Sequence, residues 1–271
     1  MAATGGAGAA GAVEAADQRD PAPAVTRGIR ILGILASAEG PMTLTEVAKA
    51  LGIAKSSASN LCLALEAGGM VERVPLGFRL GRRSAELGAA YAFQFNQVRE
   101  LFAVCEASPV LRREVVQIAM LADADALYLA RHEGRAHGRI GTPLGSRLHA
   151  ALSAAGNALL SGLDDDEVRA LLAAHPAPRL TSRSTGDVDA VVARLAETRA
   201  RGYALDEGRS FEGIVGVAVP LPAWAPSDPA LAIGVALPAD VATREHVSAV
   251  GAALRAAAIA LTNPLGRDPR G

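Results

Sequence analysis

The sequence predicts an α+β chain of two unlike parts. A small helical module ends in a β-hairpin; a linker helix and a larger domain of helices on a mostly antiparallel sheet come after it. Three observations predict it. Residues 44–65 carry two short helical apolar patterns separated by a turn, and residues 70–80 carry two apolar–polar alternations around a Pro/Gly turn. Beyond Cys105, short strand-like runs alternate with amphipathic helices.

A first helix is expected over Val25 to Ala38, with Ile29, Leu32 and Ala36 on one face, Ile31 and Leu35 beside them, and Glu39-Gly40-Pro41 as its stop. In LTEVAKALGIAKSSASNLCLAL, Leu44, Val47, Ala48 and Leu51 fall at i, i+3, i+4 and i+7, one face of an α-helix. Gly52 breaks the period, Ile53 and Ala54 cross the turn, and Ser56 is placed to cap a second helix that buries Ala58, Leu61, Cys62 and Leu65. Small residues at Ala48 and Gly52 let the two helices cross closely. The pattern is that of a helix-turn-helix, whose second helix enters the DNA major groove; an αα-hairpin inside some other domain has the same spacing. The outward face offers Lys55, Ser56, Ser57, Ser59 and Asn60, short hydrogen-bonding side chains that reach base edges and phosphates, and Thr43 joins this set.

Met70 to Val74 and Phe78 to Leu80, around Pro75-Leu76-Gly77, predict a hairpin where a winged helix-turn-helix has its wing. Arg73 and Arg79, with Arg82 and Arg83, sit where a wing meets the phosphate backbone. Charge agrees. The whole chain carries −1, yet residues 24–83 hold eight basic against four acidic side chains, leaving +4 there and −5 elsewhere. Lys49 and Lys55, the only lysines, both fall in this segment. Such asymmetry fits one module that meets an anionic partner and one that does not.

Half of the 271 residues are hydrophobic, enough for a sizeable core and two domains. No apolar run approaches the ~18–20 residues of a membrane span, and the Ala/Gly-rich start lacks the layout of a signal peptide. We expect a soluble, cytoplasmic chain with tails at 1–24 and 264–271. Cys62 and Cys105 have no metal or disulfide spacing, and Cys62 belongs to the buried side of its helix.

From Ser84 a linker helix is expected over residues 84–103, where Leu87, Tyr91, Phe95, Val98 and Phe102 recur at three or four. Five of the nine aromatic residues (Phe78, Tyr91, Phe93, Phe95, Phe102) cluster between 78 and 102, which suggests a surface buried in a dimer or against the chain's own domains. Residues 104–263 form the second domain. Its expected elements are a helix over Pro109 to Val116, strands over Ile118 to Ala122 and Ala126 to Ala130 around Asp123-Ala124-Asp125, and helices over Ala150 to Leu160, from Asp164, and over Val188 to Arg201. Strand-like runs Tyr203 to Leu205, Ile214 to Val219 and Leu231 to Leu237 and a helix over Thr243 to Leu261 complete it.

In this order, LTEVAKALGIAKSSASNL, LEAGGMVER, FRLG, ALYLAR, AAGNALLSGL, RGYALDEG and GIVGVAVP followed by AIGVALP resemble the IclR family of bacterial transcription regulators, over about residues 25 to 262. The resemblance implies a winged helix-turn-helix at 25–83, a dimerising linker helix, and a GAF-like domain that binds a small carboxylic or aromatic metabolite. It implies a homodimer or tetramer on double-stranded operator DNA, without catalytic residues, metal or cofactor. Carried over residue by residue, the effector positions are Ala154, Ala155, Asp206, Gly216, Gly234 and Ala236. Ala154 and Ala155 match a helix start whose backbone amides can hold a carboxylate. Gly216, Gly234 and Ala236 stand where relatives of small oxo-acid specificity often have Cys or Ser, which implies a roomier, more apolar cavity and a larger ligand. Two departures stand out: Asn60 replaces a recognition-helix arginine, and Asn157 replaces a lysine.

Other classes are less well supported by the residues. There is no G-x-S-x-G, G-x-x-x-x-G-K-[ST] or H-E-x-x-H motif. His132, His137, His149, His175 and His246 are scattered, and His149 with Ser153 lacks an orienting third group. A sensor that has lost DNA binding is the remaining alternative.

Overall fold

The computed structural model describes residues 20–134, 142–225 and 227–262; residues 1–19 and 264–271 of the expected tails, and His137, lie outside them. The chain divides into two compact units, Met1–Tyr91 and Ala92–Gly271.

In the first unit, α1 (Pro23–Ser37), α2 (Leu44–Leu51) and α3 (Lys55–Ala67) precede the hairpin β1 (Val71–Val74) and β2 (Gly77–Leu80), and α4 (Arg82–Ala92) comes next. Ile31 and Leu35 of α1, Val47 and Leu51 of α2, Cys62 of α3, and Val71 and Phe78 of the hairpin form one core. Ile29, expected inside, is exposed, because the inward stripe of α1 runs through Gly28, Ile31 and Leu35 instead. Helix α2 ends at Gly52, whose φ of 68° is the left-handed conformation that suits glycine, and its N–H closes on the carbonyls of Ala48 and Lys49. Ser56 does not cap α3. The cap position is Ala54, and Ser56 lies inside the first turn. In the hairpin Val71 pairs with Leu80 and Val74 with Gly77, so Pro75-Leu76 is the turn. Phe78 also exchanges backbone hydrogen bonds with Met42 at 2.7 and 2.9 Å, which fastens the hairpin beside the start of α2.

The expected single linker helix is two helices. Residues 93–95 interrupt it; Phe95 is extended (φ −92°, ψ 124°) and precedes α5 (Asn96–Ala107). The carbonyl of Phe93 is taken by the Arg99 guanidinium at 2.7 Å rather than by a helical amide. Gln97 is buried with its amide on the Pro222 carbonyl at 3.0 Å. Three residues out of register leave the apolar recurrences nearly in phase, so periodicity alone misses the break.

The second unit continues with a short 3₁₀ turn (Leu111–Arg113), β3 (Val115–Ala122), β4 (Asp125–Glu133), β5 (Arg147–His149), α6 (Ala154–Leu160), α7 (Asp165–Ala174), α8 (Val188–Arg201), β6 (Ala204–Glu207), β7 (Ile214–Leu221), β8 (Leu231–Pro238) and α9 (Arg244–Ala260). The helix expected over Pro109 to Val116 is absent. The β-branched Val115 and Val116 already pair with Ala236 and Val235 of β8. Strand β5 is too short to show a period. Helix α6 starts at Ala154, four residues later than expected, because Ala150 to Ser153 form a turn.

The six strands run β5-β4-β3-β8-β7-β6, every neighbouring pair antiparallel. Their two faces differ in side-chain size. Val116, Ile118, Val217, Val219, Ile233, Val235 and Leu237 pack in the core shared with α5 and α9. Ala119, Ala126, Tyr128, Ala204, Ala218 and Ala232 pack with α6. Small residues on that face let α6 lie close, and α7 and α8 close over it through Leu160, Val168, Leu172 and Leu195.

Candidate nucleic-acid interface and ligand cavity

Helix α3 presents Lys55, Ser56, Ser57 and Asn60 to solvent, with Ser59 half-buried, while Ala58 and Cys62 hold the opposite face in the core. No side chain caps α3, so its first-turn N–H groups add donors to the same end, the arrangement that suits phosphate. Thr43 is committed locally: its Oγ accepts the Glu46 N–H at 3.3 Å and donates to the Glu46 carboxylate at 2.7 Å. That capping box starts α2 and holds the Glu46 carboxyl below the usual carboxylate range, through the Thr43 hydroxyl first and the Thr43 amide second.

The wing arginines are paired within the unit. Arg79 sits 3.1 Å from Glu72, its cross-strand neighbour. Arg73 lies 3.4 Å from Glu66 and 4.7 Å over the Phe78 ring. Arg83 pairs with Glu86 at 2.8 Å. Exposed pairs of this kind contribute about 0–1 kcal/mol, little enough to be exchanged for a phosphate.

In the second unit a cavity of about 280 Å³ lies between α6 and the small-residue face of the sheet. Ala154, Ala155, Asp206, Gly216, Gly234 and Ala236 all line it. The glycines do not make the room that the sequence suggests. A Cβ on Gly234 would come within 3.0 Å of the Ala218 Cβ, so the vacated space is already filled by a neighbour.

Asp206, 4% exposed, has its own tasks on the wall. Its Oδ1 accepts the Arg209 N–H at 2.7 Å, its Oδ2 accepts the Ser210 N–H at 3.3 Å, and the Arg209 guanidinium stands 3.6 Å away. Behind it, burial first and then the nearby Arg209 charge lower the Arg194 pKa. Arg194 donates to the carbonyls of Ala151 and Ala190 at 3.0 and 3.2 Å, which ties α8 to the turn before α6.

Sequence reasoning missed Gln117, Tyr128, Thr142, Ser153 and Ser210 on the cavity wall. The Gln117 amide closes on the Thr142 backbone, donating at 2.6 Å and accepting at 3.1 Å. Tyr128 hydrogen-bonds Thr142 and Ser153, and burial pushes its phenol up. A polar residue within an apolar strand, as in VVQIAML, is the signal that could have found Gln117. Asn157, in sequence only a departure from the family's lysine, is buried and donates to the Ala150 and Ser153 carbonyls at 2.8 and 3.0 Å, pinning the turn that starts α6. Ser153 caps α6 by accepting the Gly156 N–H at 3.0 Å. His149 does not pair with it: its Nε2 meets the His175 carbonyl at 2.9 Å and its Nδ1 accepts the Ala151 N–H at 3.2 Å.

Among the described residues no three His, Cys, Asp or Glu side chains form a metal-binding group, and no helix is long and apolar enough to cross a membrane.

Comparison with known proteins covers both units. The model of the bacterial transcriptional regulator IclR C-terminal domain matches residues 105–263, and that of the IclR helix-turn-helix domain matches residues 24–75. The transcriptional repressor IclR of Escherichia coli is 28% identical over 213 residues, covering 75% of this chain and 76% of its own. The IclR transcriptional regulator of Alicyclobacillus acidocaldarius superposes with a TM-score of 0.76 at 26% identity, over 89% of this chain and 97% of that one. An IclR homologue of Microbacterium hydrocarbonoxydans, solved in complex with 4-hydroxybenzoate, shares the fold with a TM-score of 0.71 at 23% identity, over 88% and 97% of the two chains. With a helix-turn-helix and hairpin at its start and an α/β domain after it, the chain belongs to the IclR family of transcriptional regulators.

Proposed function

We propose that this regulator binds operator DNA sequence-specifically as a homodimer or tetramer in the cytoplasm, and that a small organic effector of the carboxylic or aromatic kind sets its DNA affinity or promoter action. Lys55, Ser56, Ser57, Ser59 and Asn60 supply the base and phosphate contacts from α3, and Arg73 and Arg79 supply phosphate contacts from the wing. Thr43 acts through its cap on α2, beside that surface. Ala154, Ala155, Asp206, Gly216, Gly234 and Ala236 form the effector wall.

The observation that carries the reading is the cavity on the α6 side of the sheet, in a chain that also exposes a recognition helix. At about 280 Å³ it lies just below the ~300–1,000 Å³ range of drug-sized ligand sites, which suits a small effector. A family neighbour that holds an aromatic acid accords with this size. An effector shifts operator occupancy only by binding one arrangement of the DNA-binding units better than another. The usual coupling of about 1–3 kcal/mol changes DNA affinity roughly 5–150-fold.

The test is footprinting of the full chain on its own upstream intergenic DNA at physiological salt, with excess competitor, before and after addition of a metabolite panel. A protected, roughly palindromic site that responds to a panel member supports the reading. A folded chain that protects no fragment under any ligand would make it a sensor without DNA binding.

A further inference from the structure

The hairpin of the first unit ends in an apolar point. Its turn is Pro75-Leu76, both exposed, and Leu76, at 73%, is the most exposed large hydrophobic side chain among the described residues. A lone exposed leucine is ordinary on a protein surface, but the setting of this one is not. Its turn is stiff, because proline fixes its own φ and only two residues join the strands. Behind the turn, a Cβ on Gly77 would come within 2.2 Å of the Met42 oxygen and 2.9 Å of the Thr43 nitrogen. At the base of the hairpin, Gly81 donates its N–H to the Met70 carbonyl at 2.8 Å, and a Cβ there would lie 2.2 Å from the Gly69 oxygen. The hairpin is therefore held at both ends, its tip beside Thr43 at the start of α2 and its base at the exit of α3.

Charge surrounds this point on two sides. Arg73 stands before the turn and Arg79 after it. Arg73 is registered with Phe78 and Arg79 with Glu72, successive rungs of the ladder whose side chains lie on opposite faces. Both guanidinium groups are about half exposed, and their carboxylate partners can give way to a phosphate. An uncharged tip with a cation on either face fits a channel that has two anionic rims and an apolar lining. We propose that Leu76 is a minor-groove wedge: it enters the DNA minor groove beside the bases read by α3, with Arg73 and Arg79 on the phosphates of the two rims, and partly unstacks one base step. This deepens the DNA-binding reading above and rests on it. Paired strands lie about 4.8 Å apart before side chains are counted, so a groove about 6 Å wide admits the Pro-Leu tip and not the ribbon. Leucine has no hydrogen bond to offer a base. What it reads is the ease of opening a step, which favours pyrimidine–purine steps.

Selection by the full chain from random duplexes supplies the probe, and 2-aminopurine then replaces each adenine of the selected duplex in turn, since its fluorescence rises when it unstacks. With the wild-type chain, the base analogue should brighten at one step outside the bases covered by α3, and dyes on the duplex ends should report a bend. Leu76→Ala should melt like wild type, because the side chain is exposed. It should bind about tenfold more weakly, keep the same salt slope, and lose both the brightening and the bend. Leu76→Lys should steepen the salt slope by about one counterion without restoring either signal. A Leu76→Ala chain that still brightens the step and bends the duplex overturns the inference and leaves the DNA-binding reading intact. So does one whose weaker binding comes with a shallower salt slope. A folded chain that selects no duplex overturns both.

Discussion

A Cβ placed on Gly216 of β7 would lie 2.9 Å from the Cβ of Ala154, the first residue of α6. Glycine at one position and alanine at the other let the helix start rest directly on the strand. Gly156, two residues further along the same helix, is tighter against the turn before it: its Cβ would come within 2.2 Å of the Ala150 Cα, which is backbone and cannot rotate away. The roof of the cavity is therefore held in place by missing atoms.

Gly156→Ala should accordingly destabilise the second unit by about 2–3 kcal/mol, the upper part of the overpacking range, or roughly 4–12 °C in Tm. Gly216→Ala should be milder, because its obstacle is a methyl group on a helix end that can shift. Thermal melts of both variants check the order. Equal melting points would mean that α6 does not bear on the turn as tightly as the geometry states.

That turn also shows what the sequence could and could not disclose. The run LAIGVALP of β8 alternates large and small residues, and its large members, Leu231, Ile233, Val235 and Leu237, all belong to the core shared with α9. The strand was legible there, and the alternation places Gly234 and Ala236 on the face opposite those large residues. The motif RGYALDEG singled out Asp206 as a cavity position, and its carboxylate also closes the turn that follows by accepting the Arg209 and Ser210 N–H groups. The start of α6 was not legible. Ala150 to Ser153 are nearly as helix-prone as Ala154 to Leu160, and bonds from outside the run, among them those of Asn157, Arg194 and the Ala124 carbonyl, hold them in a turn. The break at residues 93–95 was hidden for the same reason: the partners that stabilise it, Pro222 for Gln97 above all, lie far away in sequence. Tyr128 was concealed differently. A bulge leaves Leu129 between the pairs Ile118–Ala130 and Ala119–Tyr128, and a period-two reading does not place such an extra residue.

Thr43→Ala should lower the stability of the first unit by about 1 kcal/mol, the usual worth of a threonine cap. It should also leave a pH signature. Hydrogen bonds from Thr43 depress the folded-state pKa of Glu46. A carboxylate so shifted adds stability that is present above its unfolded pKa and is lost as pH falls through its folded pKa. The stability gap between wild type and Thr43→Ala should thus be full at pH 7 and shrink below the ordinary glutamate range. Denaturation at pH 7 and pH 3.5 reads it, and a gap that stayed constant would remove Glu46 from the cap.

The two thiols should be inert in the folded chain. Burial, with a smaller contribution from Glu106, pushes the Cys105 thiol up to about 12, and burial raises Cys62 as well. Since the thiolate is the reactive form, a colorimetric thiol reagent at pH 8 should label neither until denaturant is added, and both thereafter. Rapid labelling of the native chain at Cys105 would show that α5 opens readily from the core it shares with α9.

The recognition surface makes the sharpest separation. Arg79 is half exposed and paired with its cross-strand Glu72, so a phosphate can replace that partner at little cost. Arg79→Ala should weaken operator and random DNA alike and reduce the salt dependence of binding by about one counterion. Asn60 lies exposed on α3 among shorter side chains, and its amide matches the N6/N7 edge of adenine. Asn60→Arg should move preference at one operator position from adenine towards guanine, worth about 1–3 kcal/mol of discrimination or roughly 5–150-fold. Binding-site selection on the two proteins, run beside salt titrations of Arg79→Ala, distinguishes the roles. If Asn60→Arg shifted no base and only tightened binding everywhere, Asn60 would be a backbone neighbour, and base reading would fall to Ser56 and Ser57 at the start of α3.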